Sequence, residues 1–514
     1  MSKSRTQNSF FNISAGIAGT VTSTLISVLQ RYVFVKTLDV TYLGVSGLFS
    51  NILLILSFAE LGIGAALTQM FYKPFAEKDY HRLSVVTRTA KVMLNAVGYF
   101  VVSAAIAVTP FLQFFVNDMN AVPHMRLIFL LYGISSGSTY FLGFYRTIIT
   151  ADQKAYKLLK LDFAWKIITF VLLSINLLLT RNFIFFLSMQ IALNYLNNFV
   201  VMLLVKKEYP QIDYHCKEII TRGELREFGK NIYGLSMNRL ATVITQGTDN
   251  IVISKFLNLI TVGYASNYTM MTQTVSSMVE ALFGPLLASI GNYCISETTE
   301  QQYGLYRRLN FASFWLYGLC SIMAFSLADP FIDLVFGEEY VIAKSATFFL
   351  CFDIFCAGIT RVSGLFRTAK GIFWYGRYKP LIQSFVNLIS SLILVMVTKQ
   401  LWAVYAGTVL SRVLVTIWYD PLIVMKYGFY MNPRKYMPRE GLYFLIYGVA
   451  FAVMVFVTCI NPLTGIIELI TDGVLCVIVV NLLFAVCFSW SNEFQYWLNF
   501  GLGVAKQCKV RKGE

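Results

Sequence analysis

Apolar residues along this chain gather into runs of about twenty, divided by short polar segments, rather than into the one-sided stripe of a helix on a soluble core. A helix needs about 20 apolar residues to cross the hydrocarbon of a bilayer. By that length the pattern predicts spans near 12–35, 44–71, 92–115, 127–148, 163–180, 183–205, 231–255, 262–290, 310–327, 342–366, 380–398, 401–419, 442–460 and 466–489. The count is about fourteen, and 163–180 with 183–205 reads as a helical hairpin. The fold class that follows is an all-α integral membrane protein.

Loop charge tests the count independently. With the N-terminus placed in the cytoplasm, cytoplasmic segments hold 32 Lys and Arg against 15 Asp and Glu, and outer segments hold 6 against 8. Misplacing one helix would flip every later loop and spoil this alternation. Both termini are therefore expected in the cytoplasm of a multi-pass plasma-membrane protein. Lys3 and Arg5 precede an apolar stretch, as in a signal peptide, but no small-residue cleavage site follows, so an uncleaved first helix is expected.

Composition agrees. The chain is 57% hydrophobic and 13% charged, against roughly 25% charged in soluble domains. The pI of about 9.3 could signal nucleic acid, but the positive charge is spread over cytoplasmic loops, where anionic lipid headgroups account for it. Nucleic acid is thus excluded as a partner and membrane lipids are implied. The nine cysteines lie in spans or on cytoplasmic segments (Cys216, Cys508), so no extracellular disulfide framework is expected.

Catalytic patterns are missing. His81, His124 and His215 are far apart, Gly229-Lys230 lacks the upstream glycine of a phosphate loop, and no HExxH occurs. The acidic outer loop with Asp329, Asp333, Glu338 and Glu339 is the nearest thing to an enzyme site, and a solvated loop explains it. A transporter is expected and not an enzyme. It needs no cofactor beyond a coupling cation, H+ or Na+, unless a separate ATPase assists.

Charges inside the spans carry the functional argument, because a charge at the bilayer centre costs roughly 2.5–3.5 kcal/mol on insertion scales and so faces a cavity or a partner. The candidates are Arg31, Arg239, Arg361 and Arg412 against Glu60, Asp249, Glu280 and Asp353. Salt bridges among them are the competing reading. Arginine suits phosphate through a planar fork that keeps its charge. Both signs together suit an anionic substrate whose movement is coupled to a cation, with the acids as ion-coupling candidates. Gly284-Pro285 interrupts a span, since proline removes a backbone hydrogen bond, and is a candidate hinge.

An internal repeat aligns RYVFVKTLDVTYLG (31–44) with NIVISKFLNLITVG (250–263), pairing Lys36 with Lys255 and Gly44 with Gly263. Related halves are a common transporter design. The long segment 206–230 divides the chain and reads as a cytoplasmic connector.

Five ordered segments resemble landmarks of the Wzx-type polysaccharide transporters. They are YLGVSGLFSNILLILSFAELGIG (42–64), YKPFAEKD (72–79), ADQKAY (151–156), QGTDNIVISKF (246–256) and VGYASNYTMM (262–271). Val45-Ser46 stands where that family more usually has Leu-Asn. The resemblance implies the fold of the multidrug/oligosaccharidyl-lipid/polysaccharide exporter superfamily. Two pseudo-symmetric six-helix lobes, 1–205 and 231–425, would surround a central cavity, followed by helices thirteen and fourteen (441–489) and a cytoplasmic tail (490–514). It also implies a substrate, an undecaprenyl-diphosphate-linked oligosaccharide flipped from the inner to the outer leaflet for capsule or other surface polysaccharide. Glycosyltransferases and a polysaccharide polymerase would be partners. Asp249 and Asn250 fall in the matched TDN segment and Glu60 in AELGIG; Asn250 joins the arginines as a substrate candidate. A cation-coupled multidrug exporter and a lipid II flippase of the same superfamily are the alternatives.

Overall fold

The structure, a computed structural model, describes residues 5–60, 63–152, 154–221, 223–225, 240, 243–245, 247–372, 374–433 and 437–512. They are helical almost throughout, with no strand among them. Nine of the described helices are long and apolar enough to cross a membrane, ten if the bent pair Met125–Phe141 and Phe144–Ala151 is one span.

The remaining expected spans take other forms. Span 12–35 lies within α1 (Arg5–Thr37). Span 44–71 is broken: α2 (Val40–Leu56) passes into a 3-10 turn at Ser57–Glu60, and α3 (Ile63–Glu77) resumes. About half of span 231–255 lies outside the described residues, and a helix over 247–256, α9, belongs to it. Span 262–290 is α10 (Leu259–Phe283) and α11 (Leu286–Ser296), parted at Gly284-Pro285 as the missing proline N–H requires. The other helices of the first half are α4 (Tyr80–Val108), α5 (Met125–Phe141), α6 (Phe144–Ala151), α7 (Ala155–Thr180) and α8 (Phe183–Glu208). The second half continues with α12 (Thr299–Val335), α13 (Lys344–Ala369), α14 (Lys379–Thr398), α15 (Leu401–Ser411), α16 (Ile417–Ile423), α17 (Met437–Ile460), α18 (Gly465–Phe488) and α19 (Asn492–Lys512).

Helix boundaries extend the short sequence repeat over most of the chain. Val40 and Leu259 begin α2 and α10, and Met125 and Lys344 begin α5 and α13, each pair 219 residues apart. At the same separation, Asp79 and Thr298 cap α4 and α12 by accepting the backbone N–H three residues on. The hairpin turns match as well. Thr180-Arg181-Asn182 joins α7 to α8, and Thr398-Lys399-Gln400 joins α14 to α15. Each turn has a basic residue in the left-handed region, at φ 48° for Arg181 and 51° for Lys399. In each, the threonine hydroxyl donates to the carbonyl four residues back at 2.8 Å and accepts the N–H two residues on at 3.3 Å.

The chain forms two compact units, Val21–Ser266 and Asn267–Glu514 together with Met1–Thr20. The first holds an apolar core built on Leu67, Phe71, Val86, Phe144, Ile148 and Val201. The second stacks aromatics: Phe314 lies 4.4 Å from Tyr443 and Phe355 lies 3.8 Å from Tyr447, ring centre to ring centre. Lipid tails are as apolar as leucine, so helices inside a bilayer associate through such close contacts and through hydrogen bonds.

Candidate functional site

In the unit of residues 21–266, the two halves of the repeat meet. Gly44 of α2 lies so close to α10 that a Cβ on it would fall 1.9 Å from the Leu259 carbonyl oxygen. Reciprocally, a Cβ on Gly263 would fall 2.7 Å from the Val40 oxygen. Each glycine faces the carbonyl four residues before its repeat partner, which is the mark of a local two-fold axis. Side chains obey the same symmetry. Arg31 donates to the Ser266 hydroxyl, while Asn250, its repeat equivalent, donates to the Gly47 carbonyl at 3.3 Å. Ser266 and Gly47 are themselves repeat equivalents. The repeat therefore places Arg31 and Asn250 at matching corners of one crossing. Asp249 precedes Asn250 on α9 and is half-buried.

Deeper in this unit, Glu60 sits in the 3-10 break, where Tyr140 donates to its carboxylate at 2.6 Å. Arg146 of α6 grips Asp162 of α7 with two parallel hydrogen bonds of 2.9 and 2.8 Å, and its Nε reaches Asn198 at 3.2 Å. Lys166, one helical turn beyond Asp162, donates to the Ser23 hydroxyl. By the hydropathy pattern Arg146 and Lys166 belong to the inner ends of spans, and the loop tally assigns them to the cytoplasm. The signal that finds them is the spacing of Asp162 and Lys166 at i, i+4, one face of one helix.

The second unit pairs the remaining candidates. Arg361 of α13 meets Glu280 of α10 at 2.8 Å. Arg412 grips Asp353 of α13 with two nitrogens, its Nη2 at 3.1 Å. A third cluster escapes the sequence reading because its acid is counted at the cytoplasmic edge. Asp420 of α16, 5% exposed, takes Arg367 at 2.9 Å and Lys379 at 2.5 Å. Two cations on one carboxylate leave a net positive charge there. Arg412 opens a π-helical turn, Arg412–Thr416, and a second π turn, Val424–Gly428, follows Asp420 and Pro421. Such wide turns are frequent at functional positions. The outer acidic loop divides: Asp329 lies inside α12, accepting from Tyr268 at 2.8 Å and Thr347 at 3.3 Å, which is a packing role.

Arg239 lies outside the described residues, as do 226–230 of the connector. What is described of the connector is strapped to the first unit. The Asp213 N–H donates to Ser84 at 2.8 Å, the Ile220 N–H to Thr89 at 3.2 Å, and Arg82 pairs with Glu224.

The ion pairs are not sealed. Glu280 is 57% exposed and Asp162 41%. A half-exposed carboxylate inside a span, as Glu280 is, cannot face hydrocarbon at tolerable cost, so that face of the second unit meets water. The chemistry on offer is a set of planar guanidinium forks, each held by a carboxylate that an anion can displace.

At the level of sequence, no family model and no curated protein matches the chain. Solved structures do. The lipid II flippase MurJ in an inward closed conformation aligns over 92% of this chain and 98% of its own, with a TM-score of 0.64 at 14% identity. A multidrug resistance MATE family transporter of the MOP superfamily, inward-facing, aligns over 79% and 94% with a TM-score of 0.65 at 14% identity. The Vibrio cholerae MATE transporter VcmN in its bent form aligns over 85% and 98% with a TM-score of 0.52 at 15% identity. The chain is a multi-pass helical membrane protein with the fold that this flippase and these transporters share.

Proposed function

We propose that the protein is a flippase that carries an undecaprenyl-diphosphate-linked oligosaccharide from the inner to the outer leaflet, for capsule or another surface polysaccharide. The observation that carries this reading is the set of guanidinium–carboxylate pairs inside spans, part-exposed at Arg361–Glu280 and Arg412–Asp353. A sugar chain and a diphosphate cannot cross about 30 Å of hydrocarbon unaided, since each unpaired polar group costs several kcal/mol there. A diphosphate entering beside Arg412 competes with Asp353 for the same fork. The carboxylate so released is left to bind a cation, H+ or Na+, and anion and cation then move together. The Gly284-Pro285 break and the 3-10 break at Glu60 are the places where the helices can bend between states. Support comes also from the five Wzx-like segments and from the shared fold. Sugar-adding and polymerising enzymes would be its partners.

A second reading, transport of lipid II, is favoured by the near-complete mutual coverage with MurJ. Proteoliposomes separate the readings. The purified chain is reconstituted with labelled undecaprenyl-diphosphate oligosaccharide or with lipid II, and the glycan exposed to an impermeant glycosidase is followed. Protection or exposure that changes for the oligosaccharide substrate supports the proposal. Movement of lipid II alone supports the second reading. Efflux of cationic dyes with neither lipid moving would overturn both in favour of a drug exporter.

A further inference from the structure

A groove of about 370 Å³ runs between α10, α11, α12 and α19, and its walls are almost wholly apolar, including Phe283, Leu286, Leu309, Ala312, Leu316 and Trp497. It straddles the Gly284-Pro285 break, with Phe283 and Leu286 on either side. Its volume is that of a small-ligand site. At its end α12 and α19 are tied together: the Trp497 indole N–H donates to the Arg308 carbonyl at 2.9 Å. The Arg308 guanidinium lies 4.1 Å from the Tyr496 ring centre. Neighbouring Arg307 shares Glu493 with Arg439, each at 2.6 Å, whereas Arg308 has no acidic partner among the described residues. The sequence of α19 then ends in Lys506, Lys509, Arg511 and Lys512. An apolar slot, with a guanidinium free of any acidic partner on the residue before its lining Leu309 and a helix rich in basic residues at its end, matches one chemistry. That chemistry is a hydrocarbon chain carrying a phosphate.

We infer that this groove is a binding site for an anionic phospholipid, with one acyl chain against Leu309, Ala312 and Leu316 and the phosphate on Arg308. The site is separate from the intramembrane ion pairs. Its occupant wedges the α10–α11 break and holds α19 on α12, so lipid charge controls how freely the break bends. General annular lipid would wet the groove without regard to headgroup; the guanidinium is what adds selectivity.

Native mass spectrometry of the full chain in detergent, titrated with dioleoyl phosphatidylglycerol or dioleoyl phosphatidylcholine, tests this. The expected result is one phosphatidylglycerol retained roughly tenfold better than phosphatidylcholine. Arg308→Gln, at the rim, should abolish that preference while still binding both lipids weakly. Ala312→Trp, filling the slot, should lose both. Equal retention of the two lipids by the unaltered chain, or an unchanged preference in Arg308→Gln, would overturn the site. Arg308→Gln needs no repacking of the interior, so a folding defect in Ala312→Trp leaves the test intact.

Discussion

Arg412 and Asp353 stabilise each other only as a pair. Removing one partner of a buried ion pair strands the other charge, at about 3–5 kcal/mol, and a quarter exposure of these side chains lowers that toward ~2 kcal/mol. Arg412→Leu and Asp353→Leu should therefore each lower thermal stability in detergent, and the double variant should recover most of the loss while transport stays absent. If the double variant transports, the pair is scaffolding only. Arg412→Lys keeps the charge but loses the fork, and a fall of tenfold or more in flipping, with folding intact, is expected. Asp420 is buried more deeply. Asp420→Asn leaves Arg367 and Lys379 facing each other, and a loss of about 3–5 kcal/mol is expected by thermal unfolding. Adding Lys379→Met should restore much of it.

At the scale of elements, the α2–α10 crossing depends on two glycines. A Cβ at Gly44 meets a backbone carbonyl, which cannot step aside as a flexible side-chain end could. Gly44→Ala should force the crossing apart and cost more than Gly263→Ala, whose Cβ has more room. Gly64→Ala, with nothing within 4 Å, is the control and should be nearly silent. Melting temperatures of the three variants check the order. The C-terminal helix α19 is held differently. Burial would raise the Glu493 carboxyl, but hydrogen bonds from Arg439 and the charges of Arg439 and Arg307 outweigh it, so it titrates below the ordinary glutamate range. A carboxyl whose folded pKa is depressed stabilises the folded state at neutral pH, and loses that contribution as pH falls through the folded value. Amide exchange in α19 should thus rise on strong acidification. Glu493→Gln should show the same loosening already at neutral pH.

For the whole molecule, the sequence determined what the solvent determines. Long apolar runs, alternating loop charge and a helix-breaking Gly-Pro are local properties, because hydrocarbon forces every backbone group into intrahelical bonds and proline acts on its own turn. The repeat was legible in the glycines and flanking residues of 31–44 and 250–263, because a close crossing needs small residues at fixed positions. Its extension to the caps at Asp79 and Thr298 and the turns at Arg181 and Lys399 was not, since a cap or a left-handed turn admits several residue types and identity fades while geometry persists. Pairing was decided only by tertiary structure. Nothing local couples Arg412 to Asp353, 59 positions away, or gathers Arg367, Lys379 and Asp420. Hydropathy scores each of these charges alone, whereas the cost of burying a charge depends on what stands opposite it. That is settled only once the helices have packed.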